Sequence, residues 1–311
     1  MLNLTSEFIL EARDLWHVYD GGLAAVRGVS FGIRPGEFVA FVGANGSGKT
    51  TLIKHFNGLN KPARGAMLVA GHDSRRATVA QLSRQVGFVF QNPDHQIFCY
   101  SVWEEILFGL KQQKLPAALA EARAAAALET VGLLDRRSRH PRELSRGQRQ
   151  RLATASVLAM ETPVLVLDEP TTGQDFLARR QIMSLAADLH RRGRTIIMVT
   201  HDMALVAEYA TRVIAMHAGQ VLFDAPPREA FRQTDLLAAT GLRLPPVLEL
   251  AAGLQAAGWP VEALTLDELC QAVTKVLSER MGQPVSAPSA AGLDIAGSME
   301  TTYSGQTQGQ A

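Results

Sequence analysis

Short apolar runs recur along the chain and alternate with segments of helical pattern. Four runs of four or five residues are almost entirely apolar and occupy residues 38–42, 86–90, 164–167 and 195–199. Uninterrupted apolar runs of this length are typical of strands that are buried on both faces of a parallel sheet. Because a helical pattern follows each run, the sequence predicts an α/β fold.

The region between the second and third runs has a different pattern. Residues 115–134 are rich in alanine, with leucine and valine at helical spacing, and no strand pattern interrupts them. This predicts a helical subdomain over about residues 92–160, inserted between two halves of the α/β core. Further along, residues 212–224 have the pattern of a β-hairpin that turns at Ala218 and Gly219.

The C-terminal part of the chain changes character twice. A Pro-Pro pair interrupts the helical pattern and predicts a domain boundary near Leu242. Helical patterns over residues 247–257 and 266–281 then predict a small helical extension, residues 243–281. The remaining residues, 282–311, are mostly Gly, Ser, Thr, Pro, Gln and Ala, which predicts a disordered tail. We find no internal repeat in the sequence.

Charge and cysteine content narrow the function classes. The chain has 31 Lys and Arg against 30 Asp and Glu, and this balance argues against a nucleic-acid partner. Cys99 and Cys270 are too far apart in sequence to suggest a disulfide framework or a metal site, so we expect two free thiols. Since no run approaches the ~20 apolar residues of a membrane-spanning helix and no signal-peptide pattern opens the chain, we expect no membrane anchor.

A phosphate-binding loop follows the first apolar run. Residues 43–50 match the pattern G-x-x-x-x-G-K-[ST], and a helical pattern over residues 51–56 follows them. In such a loop, backbone N–H groups and a helix N-terminus converge on phosphate oxygens. We expect Lys49 to neutralise the β and γ phosphates of a nucleotide and the Thr50 hydroxyl to bind Mg²⁺. The predicted nucleotide contacts here are Gly43, Asn45, Gly46, Ser47, Gly48, Lys49, Thr50 and Thr51.

Two carboxylates end the third apolar run. Ligands collect at the C-terminal edge of a parallel sheet, which is where Asp168 and Glu169 are predicted to lie. Asp168 is suited to hold Mg²⁺, and Glu169 is suited to orient and polarise a water molecule. An Asp-Glu pair alone is also compatible with a helix cap or a surface pair, but together with the phosphate loop it predicts nucleotide hydrolysis.

A third motif lies upstream of this strand and opens a helical pattern over residues 149–160. Ser145 and Gln148 have the spacing of a capping box, so a well-capped helix is one interpretation. A helix N-terminus preceded by Ser and Gly is also an anion-binding device. The segment Leu-Ser-Arg-Gly-Gln, residues 144–148, resembles the signature motif of ABC ATPases, with Arg146 where the usual form has glycine.

The resemblance to ABC ATPases covers residues 8–242. It implies a P-loop NTPase core with an antiparallel β subdomain and an inserted helical subdomain, and it implies ATP and Mg²⁺ as cofactors. It further implies that Gln91 contacts Mg²⁺ and senses a membrane partner, and that His201 contacts the γ-phosphate. By the same resemblance, Tyr19 stacks on adenine and Asp175 communicates between subunits.

The resemblance also implies that two ATPase subunits share each nucleotide. The inserted subdomain places Ser145 and Gly147 on a lobe apart from Lys49, so we expect a head-to-tail pair in which Ser145, Gly147 and Gln148 reach the partner's phosphates. Since Arg146 keeps its backbone N–H, we expect a competent site, and either a homodimer or a heterodimer with a related ATPase.

A membrane subunit is expected to dock near Gln91. Ile97, Phe98 and Trp103 are candidates for that docking groove, and plain core positions are an equally good interpretation of all three.

Within the family, four segments resemble the ATPases of energy-coupling-factor importers of vitamins or transition-metal ions. They are residues 90–98, 144–148, 170–175 and 242–246. The resemblance implies a transmembrane coupling subunit, a substrate-binding membrane subunit and a place at the cytoplasmic face of the cell membrane. Two alternatives stay open: the ATPase of another ABC transporter class, and a soluble ABC protein acting on ribosomes, DNA or iron–sulfur assembly. The single cassette and the near-zero net charge argue against the second.

Overall fold

The structure, a computed structural model, describes residues 7–281. The tail predicted over residues 282–311 lies outside this range. The described chain divides between Leu244 and Pro245 into two compact units.

A six-stranded sheet forms the centre of the first unit, with the strand order β10-β9-β3-β8-β7-β6. Four of its five parallel strands are the predicted apolar runs, and the α/β class is confirmed. Their bounds are Phe38–Val42 for β3, Val86–Val89 for β6, Val164–Asp168 for β7 and Thr195–Val199 for β8. All their residues are buried, which explains why they are apolar without alternation.

The strand order positions the predicted site. Strand β8 pairs in parallel with β3 on one side and with β7 on the other. The loop after β3 and the carboxylates at the end of β7 therefore emerge at the same edge of the sheet, on either side of β8.

The hairpin at one side of this sheet has the predicted turn. Strands β9, Arg212–His217, and β10, Gln220–Ala225, are antiparallel. Between them Ala218 and Gly219 have φ values of 45° and 82°, as a two-residue hairpin turn requires.

A second, antiparallel sheet has the order β2-β1-β4-β5. Its strands are β1 Leu10–Val18, β2 Ala24–Ile33, β4 Arg64–Val69 and β5 His72–Asp73. The two sheets share one hydrophobic core. In that core Phe31 of β2 lies with its ring centroid 5.5 Å from Phe41 of β3 and 6.1 Å from Phe56.

Helices fill the interval between β6 and β7. They are α3 Val102–Gln112, α4 Ala117–Thr130 and α5 Arg146–Ala159, and no strand is described between them. Their apolar faces form a separate core. Helix α4 is shorter than the predicted pattern because Gly132, with φ of 64°, follows its end. Helix α5 begins three residues before the predicted start because Ser145 caps it.

The remaining helices of the first unit connect these layers. Helix α1, Lys49–Ile53, begins earlier and ends sooner than the predicted pattern over residues 51–56. The others are α2 Val79–Leu82, α6 Phe176–Arg191, α7 Met203–Tyr209, α8 Pro227–Ala230 and α9 Thr234–Ala239.

The second unit consists of α10, Pro246–Ala256, and α11, Leu266–Met281. A small apolar cluster of its own holds the pair, with Val261 fully buried at its centre. Across residues 7–281, every helix is too short or too polar to span a bilayer.

Candidate nucleotide-hydrolysis site

The phosphate loop after β3 has a backbone that only glycine fits at two positions. Gly43 and Gly48 have φ values of 146° and 100°. A Cβ on Gly43 would lie 2.2 Å from the Met216 carbonyl oxygen, and a Cβ on Gly48 would lie 2.3 Å from the Ala25 carbonyl oxygen. The loop is therefore packed against β9 and β2 and keeps a conformation that other residues cannot adopt.

The Lys49 ammonium lies inside this loop. Its Nζ donates to the carbonyl oxygens of Gly43 at 2.7 Å and of Ala44 at 2.9 Å. Burial lowers the pKa of Lys49, and the nearby carboxylates of Glu169 and Asp168 oppose that shift. A buried cation gains from an anionic partner, so the loop presents a positive charge suited to phosphate.

Asp168 and Thr50 place two hard oxygen donors together. The Thr50 hydroxyl donates to Asp168 Oδ2 at 3.3 Å, whereas the buried Oδ1 has no hydrogen-bond partner among the described residues. Burial raises the pKa of Asp168 to about 6, and the charge of Glu169 adds to the shift. A buried carboxylate oxygen without a partner, next to a hydroxyl, fits Mg²⁺, which prefers oxygen ligands.

Glu169 stands at the end of β7 in a left-handed backbone conformation, with φ of 48°. Three contacts hold it there. Its backbone N–H donates to the Val199 carbonyl oxygen at 2.9 Å, Thr172 Oγ1 donates to Oε2 at 3.2 Å, and His201 Nδ1 lies 2.9 Å from Oε1. Since a carboxylate only accepts, the bonded His201 nitrogen carries the proton.

Tyr19 lies at the rim of the same site, immediately after β1. Its hydroxyl is 2.9 Å from Thr51 Oγ1, and 42% of the residue is exposed. An exposed aromatic ring beside the phosphate loop is suited to stack on a planar base.

These groups converge on one open cleft of about 270 Å³. The predicted residues that line it are Tyr19, Asn45, Gly46, Ser47, Gly48, Lys49, Thr50, Thr51, Gln91, Asp168 and Glu169. The sequence-based prediction missed Leu23, Ala25 and Val199, which also line it. These three residues line the cleft because of where the fold places them, and no motif in the sequence indicates them. Gly43 and His201 do not line the cleft, but Gly43 accepts from Lys49 and His201 contacts Glu169.

Comparison with known proteins decides the family. Residues 26–172 match the family model described as ABC transporter. The energy-coupling factor transporter ATP-binding protein EcfA2 of Symbiobacterium thermophilum is 43% identical over 275 residues, which cover 86% of this chain and 96% of that protein. This chain belongs to the ABC transporter ATP-binding family.

Other family members differ in length from this chain. An ABC transporter ATP-binding protein of Methanosarcina mazei is 47% identical over 251 residues, or 80% of this chain, but the chain spans only 42% of that relative.

Among solved structures, cbiO1 of Clostridium perfringens, part of the ABC transporter complex cbiONQ, has a TM-score of 0.66 at 36% identity. The match covers 79% of this chain and 99% of that chain. A dimeric cassette bound to ADP and Pi has a TM-score of 0.65 at 27% identity, with coverage of 70% and 99%.

The ABC signature segment lies outside the cleft of its own chain. Ser145 is the N-cap of α5 and forms the predicted capping box: Gln148 N–H donates to Ser145 Oγ at 3.3 Å, and Ser145 N–H donates to Gln148 Oε1 at 2.9 Å. Asp175 is the N-cap of α6, and its Oδ1 accepts from Ala178 N–H at 2.8 Å. Neither these residues nor Gly147 line the cleft.

The signature segment instead contacts the loop before α6. The Arg146 guanidinium lies against Gly173, where an added Cβ would be 3.6 Å from Arg146 Cζ. Likewise a Cβ on Gly147 would lie 3.2 Å from Gln174 Oε1. The loop that carries Asp175 is therefore packed on the signature segment of the same chain.

A second cleft, of about 590 Å³, lies beside the helical subdomain, and its lining includes Ile97, Phe98, Cys99 and Tyr100. Phe98 is 63% exposed and Tyr100 is 84% exposed, whereas Ile97 and Trp103 pack against the helical core. For Trp103 the structure thus shows the core position that was its alternative interpretation. The wall of this cleft is held by buried Glu105, which accepts the N–H groups of Phe98 at 3.0 Å and Cys99 at 2.9 Å.

Proposed function

We propose that this chain binds MgATP between two ATPase subunits and hydrolyses it to drive a membrane importer of the energy-coupling-factor type. The observation that carries the proposal is the convergence of Lys49, the Thr50–Asp168 pair and Glu169 on one cleft. A phosphate-binding cation, a Mg²⁺-compatible oxygen pair and a carboxylate suited to act as a base are the parts that nucleotide hydrolysis requires.

The phosphate loop and Lys49 bind the β and γ phosphates, and the Tyr19 ring supports the adenine. The Thr50 hydroxyl and the free Asp168 oxygen, with Gln91 beside them, would hold Mg²⁺, which would neutralise charge on the phosphates. Lys49 is bonded to loop carbonyls, and the phosphates of ATP would give its ammonium charged partners.

Glu169 acts on the attacking water. The carboxylate accepts a proton while the water oxygen bonds to the γ-phosphorus, and the bond between that phosphorus and the β–γ bridging oxygen breaks to release ADP and phosphate. Thr172 and His201 hold the two carboxylate oxygens in place, and we assign to the exposed His201 side chain a contact with the γ-phosphate.

The remaining contacts come from a second ATPase subunit. Because the signature residues do not line the cleft of their own chain, we assign them to the partner's nucleotide, in a head-to-tail pair. Ser145, Gly147 and Gln148 would then bind the opposite phosphates, and Asp175 would lie between the subunits. A relative solved as a dimer with ADP and Pi supports this pairing, either as a homodimer or with a related ATPase.

The membrane partners are a transmembrane coupling subunit and a substrate-binding subunit, which place the chain at the cytoplasmic face of the membrane. The support is the EcfA2 relative and the cbiO1 structure. The second cleft, whose lining includes the exposed Phe98 and Asp94, three residues after Gln91, is the docking surface that we assign to the coupling subunit. A vitamin or a transition-metal ion is the proposed cargo, and no nucleic acid is involved.

The test is a mild-detergent pull-down of the chain from its native membranes. The same pull-down with the Phe98→Asp variant tests the docking surface. We expect one transmembrane coupling protein and one small membrane protein to copurify, and both to be lost with Phe98→Asp. Recovery of a symmetric permease pair would assign the chain to another transporter class. Recovery of no membrane protein would contradict a transport function.

A further inference from the structure

A closed ring of contacts joins the Tyr19 ring to helix α1. The Tyr19 hydroxyl lies 2.9 Å from Thr51 Oγ1, and the Thr51 carbonyl oxygen lies 2.9 Å from His55 Nδ1. The His55 ring meets the His17 ring edge-to-face at 4.9 Å between centroids, and the His17 ring meets the Tyr19 ring in the same way at 4.6 Å.

His55 is the buried member of this closed set of contacts. It is fully buried two residues after the end of α1, and its Nδ1 faces the carbonyl oxygens of Thr51 and Leu52. Nδ1 therefore carries the proton, and Nε2 is a buried acceptor without a partner among the described residues. Burial and the neighbouring His17 lower the pKa of His55 to about 4, so the ring is neutral at physiological pH and serves as a packing surface.

His17 connects this buried surface to the exposed tyrosine. It lies in β1 two residues before Tyr19, and alternate residues of an extended chain point to the same side. Its Nδ1 also lies 3.4 Å from the Lys61 carbonyl oxygen. The half-buried His17 ring is thus held between a fully buried imidazole and an exposed phenol ring.

We propose that His17 and His55 are positioning residues that hold the Tyr19 ring in the orientation that receives the nucleotide base. This inference rests on the proposed function, because it assumes that Tyr19 contacts the base. The hydroxyl bond to Thr51 restrains the far end of the Tyr19 side chain, but the ring can still rotate about the axis from Cβ to the hydroxyl. The edge contact from His17 supplies the second restraint, and aromatic pairs of this geometry are favourable beyond their buried area.

The arrangement predicts a separation between base binding and phosphate binding. His17 itself contacts Tyr19, His55 and Lys61, and these contacts do not include Lys49, Thr50, Asp168 or Glu169. Loss of His17 therefore weakens the binding of ATP and leaves the binding of inorganic triphosphate unchanged. In steady-state kinetics the KM for ATP rises while kcat is retained.

The experiment uses the full-length chain with Glu169→Gln, so that ATP is not consumed, and measures binding of MgATP and of magnesium triphosphate by calorimetry. We expect Tyr19→Ala to weaken ATP binding about 10-fold, in line with the loss of one base–aromatic stack. We expect His17→Leu to weaken it about 5-fold and His17→Phe, which keeps an aromatic edge, to restore it to within about 2-fold. His72→Leu, an exposed histidine of the same sheet, is the matched control. His17 is preferred to His55 because replacing a fully buried residue threatens the fold.

The outcomes separate the inference from the proposed function. If Tyr19→Ala weakens ATP binding and His17→Leu does not, the positioning role is wrong while the ATP site stands. If His17→Leu and His17→Phe both weaken triphosphate binding as much as ATP binding, His17 is only structural and the inference fails. If the unmodified site binds neither ATP nor triphosphate, the proposed function itself fails.

Discussion

At the scale of single residues, two glutamates of this chain share an unusual backbone. Glu161 and Glu169 have φ values of 50° and 48°, a left-handed conformation that costs non-glycine residues of order 1 kcal/mol or more. Glu161 pairs with Arg123 on the surface. Glu169 is held by three bonds at the end of β7 with its carboxylate nearly buried, which identifies it as the constrained residue of the site.

The first prediction follows from that difference. Glu169→Gln keeps the shape and the Thr172 contact but cannot take a proton, so turnover should fall about 10²–10⁴-fold while ATP binding is retained. Steady-state phosphate release and equilibrium ATP binding measure the two effects. Glu161→Gln, with the same substitution and the same backbone conformation, should leave both unchanged. Full activity of Glu169→Gln would remove Glu169 from the mechanism.

The second prediction concerns Asp168 and pH. Its pKa rises from 3.8 when unfolded to about 6 when folded, so the folded chain resists deprotonating it. The resulting destabilisation is absent below about pH 4, grows between pH 4 and 6 and is complete above pH 6. Asp168→Asn removes the charge and should stabilise the nucleotide-free chain at pH 8 by on the order of 2 kcal/mol.

Denaturant unfolding of the wild type and Asp168→Asn at pH 8 and pH 4.5 checks this. The advantage of the variant should shrink at the lower pH, and MgATP should no longer stabilise the variant. Asp235→Asn, on an exposed position of α9, controls for the general loss of an acid. An equal advantage at both pH values would show that Asp168 is not the titrating group.

Most of the cleft could be predicted from residue patterns. The residues of the phosphate loop are consecutive in the sequence, and so are Asp168 and Glu169. Their chemistry can therefore be predicted from the sequence alone. The partnerless Asp168 oxygen, the three bonds to Glu169 and the lining by Leu23 depend on distances across the sheet. No local pattern carries that information.

At the scale of elements, two helices begin with the same device. Ser145 with Gln148 opens α5, and Thr78 with Gln81 opens α2, each as a full capping box.

These two capping boxes make the third prediction possible. Ser145→Ala and Thr78→Ala should each destabilise the chain by about 1 kcal/mol, but only Ser145→Ala should also lower ATP turnover, because we place Ser145 at the partner's phosphates. Thermal unfolding and phosphate release compare them. Equal turnover in both variants would leave Ser145 as a cap alone.

The strands β3, β6, β7 and β8 could be predicted because all their residues are buried, which makes them apolar throughout. The antiparallel strands β1 and β2 mix buried and exposed positions irregularly and contain bulges in their pairing. Neither the two-residue period of a strand nor the roughly 3.6-residue period of a helix is therefore clear in their sequences. The predicted ends of the helices were less accurate, because α1 and α5 begin within motifs whose Gly, Ser and Lys residues do not have a helical pattern.

At the scale of the whole molecule, the signature segment and the phosphate loop of one chain do not meet. The fourth prediction tests the composite site directly. Lys49→Ala and Ser145→Ala chains should each be nearly inactive alone. An equal mixture should recover roughly a quarter of wild-type turnover, because half of the pairs are mixed and each mixed pair has one intact site out of two.

Phosphate release from the mixture, measured against each variant alone at the same total concentration, gives the result. Mixing Lys49→Ala with the double variant Lys49→Ala, Ser145→Ala is the matched control and should recover nothing. No recovery in the first mixture would mean that Lys49 and Ser145 serve the same chain. The pairing could be anticipated from the sequence only through the family resemblance, since spacing along the chain does not reveal a surface shared with a second molecule.

The cysteine in the second cleft gives that surface one further property. Burial, followed by the charge of Glu105, raises the pKa of the Cys99 thiol to about 11, and electrophiles and oxidants react with the thiolate rather than the thiol. At neutral pH only about one Cys99 side chain in 10⁴ is deprotonated. The Cys99 thiol on the surface that we assign to the membrane partner is therefore expected to react slowly with peroxide and alkylating reagents.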